Sequence, residues 1–224
     1  MADEEPIEDS EQTPQDAASS EADASSPDGS EHPDDWIQTF DIAHARDGEL
    51  DTLPTMRLVD ERTAALFGLE LGHAFQCQID VMVQNIEIKR ASELLSALET
   101  PGCHSLLELE ALGGHGVLSM QQELFFKLLE LLFGGTEKTQ AFGTSARKRF
   151  SSVESRVIRR IVHLFGRSME AAWRPVIPMH VVHLRIETKP ENTPISDRDD
   201  WLIITEYLVK LGDFQGRVHI ALPK

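Results

Sequence analysis

The order of apolar patterns repeats once along the chain, and that repeat limits the folds open to it. Residues 53–120 give one helix pattern and then three strand patterns, with a short helix after the first strand. Residues 151–222 give helix, strand, strand, strand. Gly116-Val117-Leu118 stands 100 positions before Gly216-Arg217-Val218, each at the start of its unit's last strand. The order predicts an α/β domain in which two similar halves pair their strands in one sheet, with the long helices packed upon it.

The elements of the first half follow from local pattern. Thr52-Leu53-Pro54 sets up a helix start, since proline lacks an N–H that a first turn would leave unused. Met56, Val59, Thr63, Leu66 and Phe67 then recur at helical spacing, and Gly68 is a candidate stop or kink. Cys77 to Val83 alternates and reads as a strand continuing towards Ile88. Ala91 to Leu98 is a short helix ended by Pro101-Gly102. Strands follow at about 105–111 and 116–120, joined by Gly113-Gly114-His115-Gly116 as a tight turn. Residues 121–133 (QQELFFKLLELLF) are apolar almost all round, which places that helix between layers or under a partner. Gly134-Gly135 closes it.

The second half opens on the strongest helix signal in the chain. Ser151-Ser152-Val153-Glu154 has the spacing of a capping box, in which the hydroxyl takes the Glu154 N–H and the carboxylate reaches back. The helix runs over 152–173. Val153, Val157, Ile161, Phe165 and Met169 form its apolar stripe, widened by Ile158, Val162, Ala172 and Trp173. Each large member, fully buried, contributes roughly 1.5–3 kcal/mol. Arg156, Arg159, Arg160, His163 and Arg167 occupy the other faces, and Pro175 and Pro178 end the helix. Strands at about 179–188, 201–209 and 216–222 complete the unit, the last two joined by a turn over Gly212–Gly216.

Charge excludes several function classes. The 224 residues hold 21 Lys plus Arg and 38 Asp plus Glu, a net charge of -17. Residues 1–35 carry 13 of the acids and no Lys or Arg, which leaves 25 acids and 21 bases for 36–224. A field of that sign repels phosphate, so nucleic acid is not an expected partner. The first 35 residues, rich in Ser, Ala, Asp, Glu and Pro, are predicted to be a disordered acidic tail, with order beginning near Trp36–Phe40. Two cysteines, Cys77 and Cys103, exclude a disulfide framework and a multi-cysteine zinc site. No apolar run reaches the roughly 18–20 residues of a membrane span, and an acidic start is not a secretory signal. The expectation is a soluble, cytoplasmic protein.

Five segments, in order, resemble the middle domain of the bacterial flagellar motor switch protein family FliM. They are LPTMRLVDERTAALF at 53–67, ELFFKLLELLFGG at 123–135, FSSVESRVIRRIV at 150–162, EAAWRPV at 170–176 and GRVHIALP at 216–223. The likeness covers roughly 38–223. It implies a three-layer α/β/α domain of two pseudo-twofold halves, akin to the chemotaxis phosphatases CheC and CheX, with an acidic tail over 1–35 and the middle-type domain over 36–224. It further implies a wall element of the cytoplasmic rotor ring, peripheral to the inner membrane, that packs against copies of itself, binds FliG and meets phosphorylated CheY.

The resemblance carries over residue by residue with gaps. FliM's Gly-Gly-x-Gly turn, which contacts FliG, falls on Gly134, Gly135, Thr136 and Glu137, so Glu137 replaces the third glycine. Gly134 and Gly135 are also what a plain helix cap requires, and the two readings stand side by side. The family's Asp-Ala-Leu-Leu core for docking CheY has no counterpart in 1–35, where only negative charge remains. The chain ends at Lys224, where the family continues into a domain that pairs with FliN; a fragment and a short paralogue outside the motor both fit, and a FliN contact is not expected.

Chemistry is not expected of this chain, and no cofactor, metal site or catalytic residue is predicted. The related phosphatases use Glu-x-x-Asn to orient water, both groups sharing a helical face. Here Glu154 is followed at that spacing by Val157, and Glu61 by Ala64. A CheC-like phosphatase acting on phosphorylated CheY is the alternative function. His180 and His183 fall on opposite faces of a strand. Cys77 and Cys103 read as packing residues, and Arg147-Lys148-Arg149 as a solvated loop or as a contact for an acidic partner or for the acidic tail of the same molecule.

Overall fold

The computed structural model describes residues 54–135, 149–193, 195 and 199–224, all within the unit Asp41–Lys224. The first half holds α1 (Pro54–Phe75), β1 (Asp80–Arg90), α2 (Ala91–Ala97), β2 (Cys103–Leu109) and β3 (Gly114–Met120), followed by α3 (Gln122–Leu132). The second holds α4 (Ser152–Trp173), β4 (Val181–Glu187), β5 (Trp201–Leu211) and β6 (Phe214–Pro223). Counterparts begin at 54 and 152, 80 and 181, 103 and 201, and 114 and 214, so the repeat takes in α1, α4 and all six strands.

Six antiparallel strands form one sheet in the order β1-β5-β6-β3-β2-β4. The last two strands of each half form a hairpin, and the two hairpins meet where β3 pairs with β6. Each half's first strand crosses to the far side of the other half's hairpin, β1 onto β5 and β4 onto β2. Ser119 faces His219 at the central pairing, a pair itself 100 residues apart, so the approximate dyad passes there. Neither half has its three strands adjacent, and the two halves share a single core.

On one sheet face α1 and α4 lie side by side. Phe67 and Phe165 meet edge to face at 5.2 Å between centroids, and Phe165 meets Tyr207 of β5 at 5.8 Å. Helix α3 contacts β6, α1 and α4, which puts it in the same layer. The opposite face has a thinner cover. There Ala91, Leu94 and Leu98 of the α2 region, with Ile195, pack on Leu106, Val117, Leu202, Ile204 and Ala221. The result is the expected α/β/α sandwich, with one heavy layer and one light one.

The capping box at α4 has the geometry its spacing predicts. The Glu154 N–H donates to Ser151 Oγ at 3.3 Å, and the Ser151 N–H donates to Glu154 Oε2 at 2.7 Å. Ser151→Ala is expected to remove about 1 kcal/mol, which for a domain of this size lowers Tm by about 2–4 °C. An unchanged Tm would show that the cap adds nothing.

Other local expectations are corrected. The first member of the expected apolar stripe, Val153, is not buried: it is 55% exposed in the first turn of α4. Gly68 does not stop its helix: α1 continues to Phe75, and a Cβ at Gly68 would sit 3.1 Å from the Ile79 carbonyl oxygen, so the glycine serves close approach to the incoming β1. The run Gly113–Gly116 is not all turn. A 3-10 turn over Glu110–Leu112 and left-handed Gly113 reverse the chain, while Gly114 and Gly116 lie within β3. Likewise β5 and β6 are joined through Gly212 (φ 54) and Asp213 alone. The expectations of a disordered tail over 1–35 and of order from Trp36 fall outside the described residues, as do Arg147 and Lys148.

Candidate partner-binding surface

Helix α3 starts without a side-chain cap, because its flanking Gln121 is used elsewhere. The Gln121 amide donates to Glu99 Oε1 at 2.8 Å, and its carbonyl accepts the Arg217 N–H at 2.8 Å. Gly216 of β6 leaves room for the helix: a Cβ there would lie 2.7 Å from Leu124 Cβ. That contact explains the second glycine of the 100-residue repeat. Leu124, Phe125 and Leu128 are buried, and Phe125 meets Phe150 edge to face at 5.6 Å. Lys127 is also buried, with its ammonium 3.4 Å from Glu130.

The expectation for α3 is burial between layers or cover by a partner, and its C-terminal end is not covered within the domain. Phe133 is 71% exposed and Leu132 is 39% exposed. The sheet and the two long helices cover one broad face of α3, and its apolar residues exceed that face at the last turn. Sequence reading did not single out Phe133, although the excess of apolar positions over a single stripe was the available signal.

Gly134 and Gly135 form a Schellman cap directly after Phe133. The Gly135 N–H donates to the Glu130 carbonyl at 2.9 Å and the Gly134 N–H to the Leu131 carbonyl at 3.1 Å. Gly134 has φ 89, a conformation suited to glycine. At Gly135 a Cβ would fall 2.5 Å from Glu130 Cγ and 2.9 Å from its carbonyl oxygen. Both glycines are therefore needed by the cap, which also presents Phe133 to solvent. Thr136 and Glu137, the other two candidate contact residues, lie outside the described residues.

The phosphatase alternative meets a different geometry. Glu154 is buried and its carboxylate serves the cap of α4, while Val157 three positions on is buried. In α1, Glu61 pairs with Arg57 at 3.1 Å and Ala64 is buried. His180 precedes β4, exposed, and shares a 2.9 Å contact with Glu170, whereas His183 faces the α4 side of the sheet and burial lowers its pKa. Cys103 is in the core, where burial pushes its thiol pKa up; Cys77 is half-buried.

Two buried polar clusters flank the dyad. On the α1 face, Asp60 accepts hydrogen bonds from Thr205 Oγ1 at 2.8 Å and Tyr207 Oη at 3.1 Å. Burial outweighs both bonds and raises its pKa to about 6. On the opposite face, His104 Nε2 donates to the Glu99 carbonyl at 3.1 Å and Nδ1 accepts from Ser119 Oγ at 2.9 Å, the tautomer following from the carbonyl partner. Burial lowers the His104 pKa to about 4. A cleft of about 220 Å³ beside it is lined by Lys89, Glu99, Glu206, Arg217 and His219. Its cations are paired, Lys89 with Glu87 at 2.5 Å and Arg217 with Glu206 at 3.4 Å, and His219 Nε2 lies 3.1 Å from the same Glu206 carboxylate.

A family model described as flagellar motor switch protein FliM matches residues 50–224, most of the chain and all of its described elements. The chain belongs to the FliM family. The FliM of Salmonella typhimurium is 28% identical over 192 residues, covering 85% of this chain and 57% of that protein. The FliM of Pseudomonas aeruginosa is 23% identical over 187 residues, covering 84% and 57% respectively. The chain thus spans little more than half the length of these FliM relatives. Among solved structures, FliM in the H. pylori FliG-FliM complex has a TM-score of 0.71 at 19% identity, covering 77% of this chain and 93% of that one. The isolated H. pylori FliM middle domain gives 0.68 at 17% identity, covering 77% and 92%. At these identities the solved structures establish the fold, a FliM middle-domain sandwich.

Proposed function

We propose that this chain is a non-enzymatic switch component of the flagellar rotor, a middle-type domain over 36–224 preceded by an acidic segment, which binds FliG through the end of α3. The observation carrying the proposal is the Schellman cap at Gly134-Gly135, which turns the chain sharply and leaves Phe133 mostly in water. An exposed phenylalanine beside a rigid turn is the kind of anchor that interfaces use. Thr136 and Glu137 complete the proposed contact. The FliG-FliM complex of H. pylori supports it, being built on the same fold.

Self-association belongs to the same reading. Strands β1 and β4 are the two outer strands of the sheet, and exposed Leu58, Leu69 and Met82 on the α1–β1 side stand across from exposed Leu184 on β4. Two unlike flanks suit a head-to-tail contact of the sort that closes rings. Placement follows from the reading: the cytoplasmic face of the inner membrane, held there through partners. No helix among the described residues is long and apolar enough to cross a membrane. Phosphorylated CheY would reach this rotor element through its neighbours, since the tail lacks the docking core.

Co-purification with a FliG middle domain tests the main contact. Phe133→Ala is expected to weaken FliG at least roughly tenfold, the scale of one anchor side chain. As a surface change it should move stability by no more than about 0.5 kcal/mol. An absence of binding at tens of micromolar FliG, or full binding by the variant, would remove this contact.

A further inference from the structure

Helix α4 carries on its solvent face a charge pattern that the fold does not require. From 156 to 174 the exposed positions are Arg156, Arg159, Arg160, Arg167 and Arg174 with His163 and Ala171, and no acid is among them. Glu170 is only half-buried, yet it is already bonded to His180 at 2.9 Å and to the Val181 N–H at 2.8 Å. Arg167 lies 3.6 Å from Glu70 of α1, with both side chains partly in water. Among the described residues, Arg156, Arg159, Arg160 and Arg174 make no ion pair.

The repeat supplies an internal control. Helix α1 begins 98 residues earlier, and its solvent face places Leu58, Glu61, Arg62, Ala65 and Leu69 where α4 has Arg156, Arg159, Arg160, His163 and Arg167. The same architecture therefore does not itself call for arginines at these positions. Arginines three and four positions apart repel one another on a helix. In a chain whose net charge is -17, that local repulsion marks a surface shaped by something outside the fold.

We propose that the α4 arginine face docks a short acidic polypeptide segment of a partner. Arg156 to Arg174 spans about 27 Å along the axis, which an extended segment of about eight residues matches. Guanidinium groups pair with carboxylates in a two-bond fork, and these arginines project along one helix face to receive them. A nucleic-acid duplex or an anionic membrane is wider than one helix. Either would bring many more negative charges to a chain whose net charge is -17 than a short segment does.

A fluorescein-labelled peptide of about ten residues, alternating Glu and Ser, is the probe, titrated with the full chain at low salt and read by anisotropy. Arg156→Glu with Arg160→Glu is expected to weaken it by roughly tenfold or more, and added salt to weaken wild-type binding. Arg57→Glu with Arg62→Glu on α1 makes the same change in net charge and should stay within about twofold. Thermal melts of both variants matching wild type would confirm that folding is not the cause. Equal losses in the two variants, or no binding by the full chain, would overturn the proposal. Tighter binding to phosphatidylserine vesicles or to duplex DNA than to the peptide would do the same.

Discussion

Phe165→Ala is expected to destabilise the domain by about 3–5 kcal/mol, the range for emptying a buried aromatic site. Phe165 is fully buried in the middle of α4 and touches both Phe67 of α1 and Tyr207 of β5. It therefore joins the two long helices to each other and to an inner strand of the sheet. The cavity cannot close readily, because α1 and α4 each also pack on the strand that crosses from their own half, β1 and β4. Such a loss is a large share of the roughly 5–15 kcal/mol that holds a typical domain together. Urea unfolding followed by circular dichroism would measure it. A loss below about 1 kcal/mol would mean that the helices are held apart from this contact.

The second large effect is a change in pH dependence. Asp60 has a folded-state pKa of about 6 against an ordinary 3.8, so between these values the folded chain holds a proton that the unfolded chain releases. Stability from this group falls as pH rises through that window, by roughly 3 kcal/mol in all. His104 acts in the opposite direction. Its folded pKa is about 4 against 6.5, so in that window the unfolded chain takes up a proton that the folded chain refuses. Stability from His104 rises with pH, by a similar roughly 3 kcal/mol.

The two slopes oppose each other between about pH 4 and 6 in the intact protein. Asp60→Asn removes one of them, so its unfolding free energy relative to wild type should climb by roughly 3 kcal/mol from pH 4 to pH 6.5. His104→Gln should show the mirror image, falling relative to wild type as pH rises. Urea titrations at several pH values decide the matter, and parallel profiles for wild type and both variants would reject the assignment. The Asp60 cluster is not repeated by the dyad, whereas the His104–Ser119 pair has its counterpart in Glu206–His219, which hydrogen-bond at 3.1 Å. Position 158, which the repeat matches to Asp60, is Ile158, and the hairpin registers match Thr205 and Tyr207 to Cys103 and Ser105, the latter buried without a hydrogen-bond partner for its hydroxyl.

Much of the architecture was legible before any coordinates, because it rests on local rules. Helical periodicity and the Ser151–Glu154 capping box placed α4 at its observed limits, and strand alternation found all six strands within a few residues. The repeat at 100-residue spacing disclosed two halves in one sheet. Gly134 and Gly135 were readable as a helix end because a left-handed cap and a close approach to Glu130 each demand glycine. The candidate site is legible only to that extent: the apolar excess that includes Phe133 fits burial between layers or under a partner, and the pattern does not separate the two.

What the chain alone determined is the order, type and pairing tendency of its elements, since these depend on residues three, four or two positions apart. Which neighbour covers each apolar face was decided by tertiary structure. The crossing of β1 and β4 to the opposite hairpins, the burial of Asp60 under α1 and the exposure of Val153 and Phe133 all turn on contacts far apart in sequence. A period can report that one side of an element is apolar. It carries no record of where the sheet beneath that side runs out.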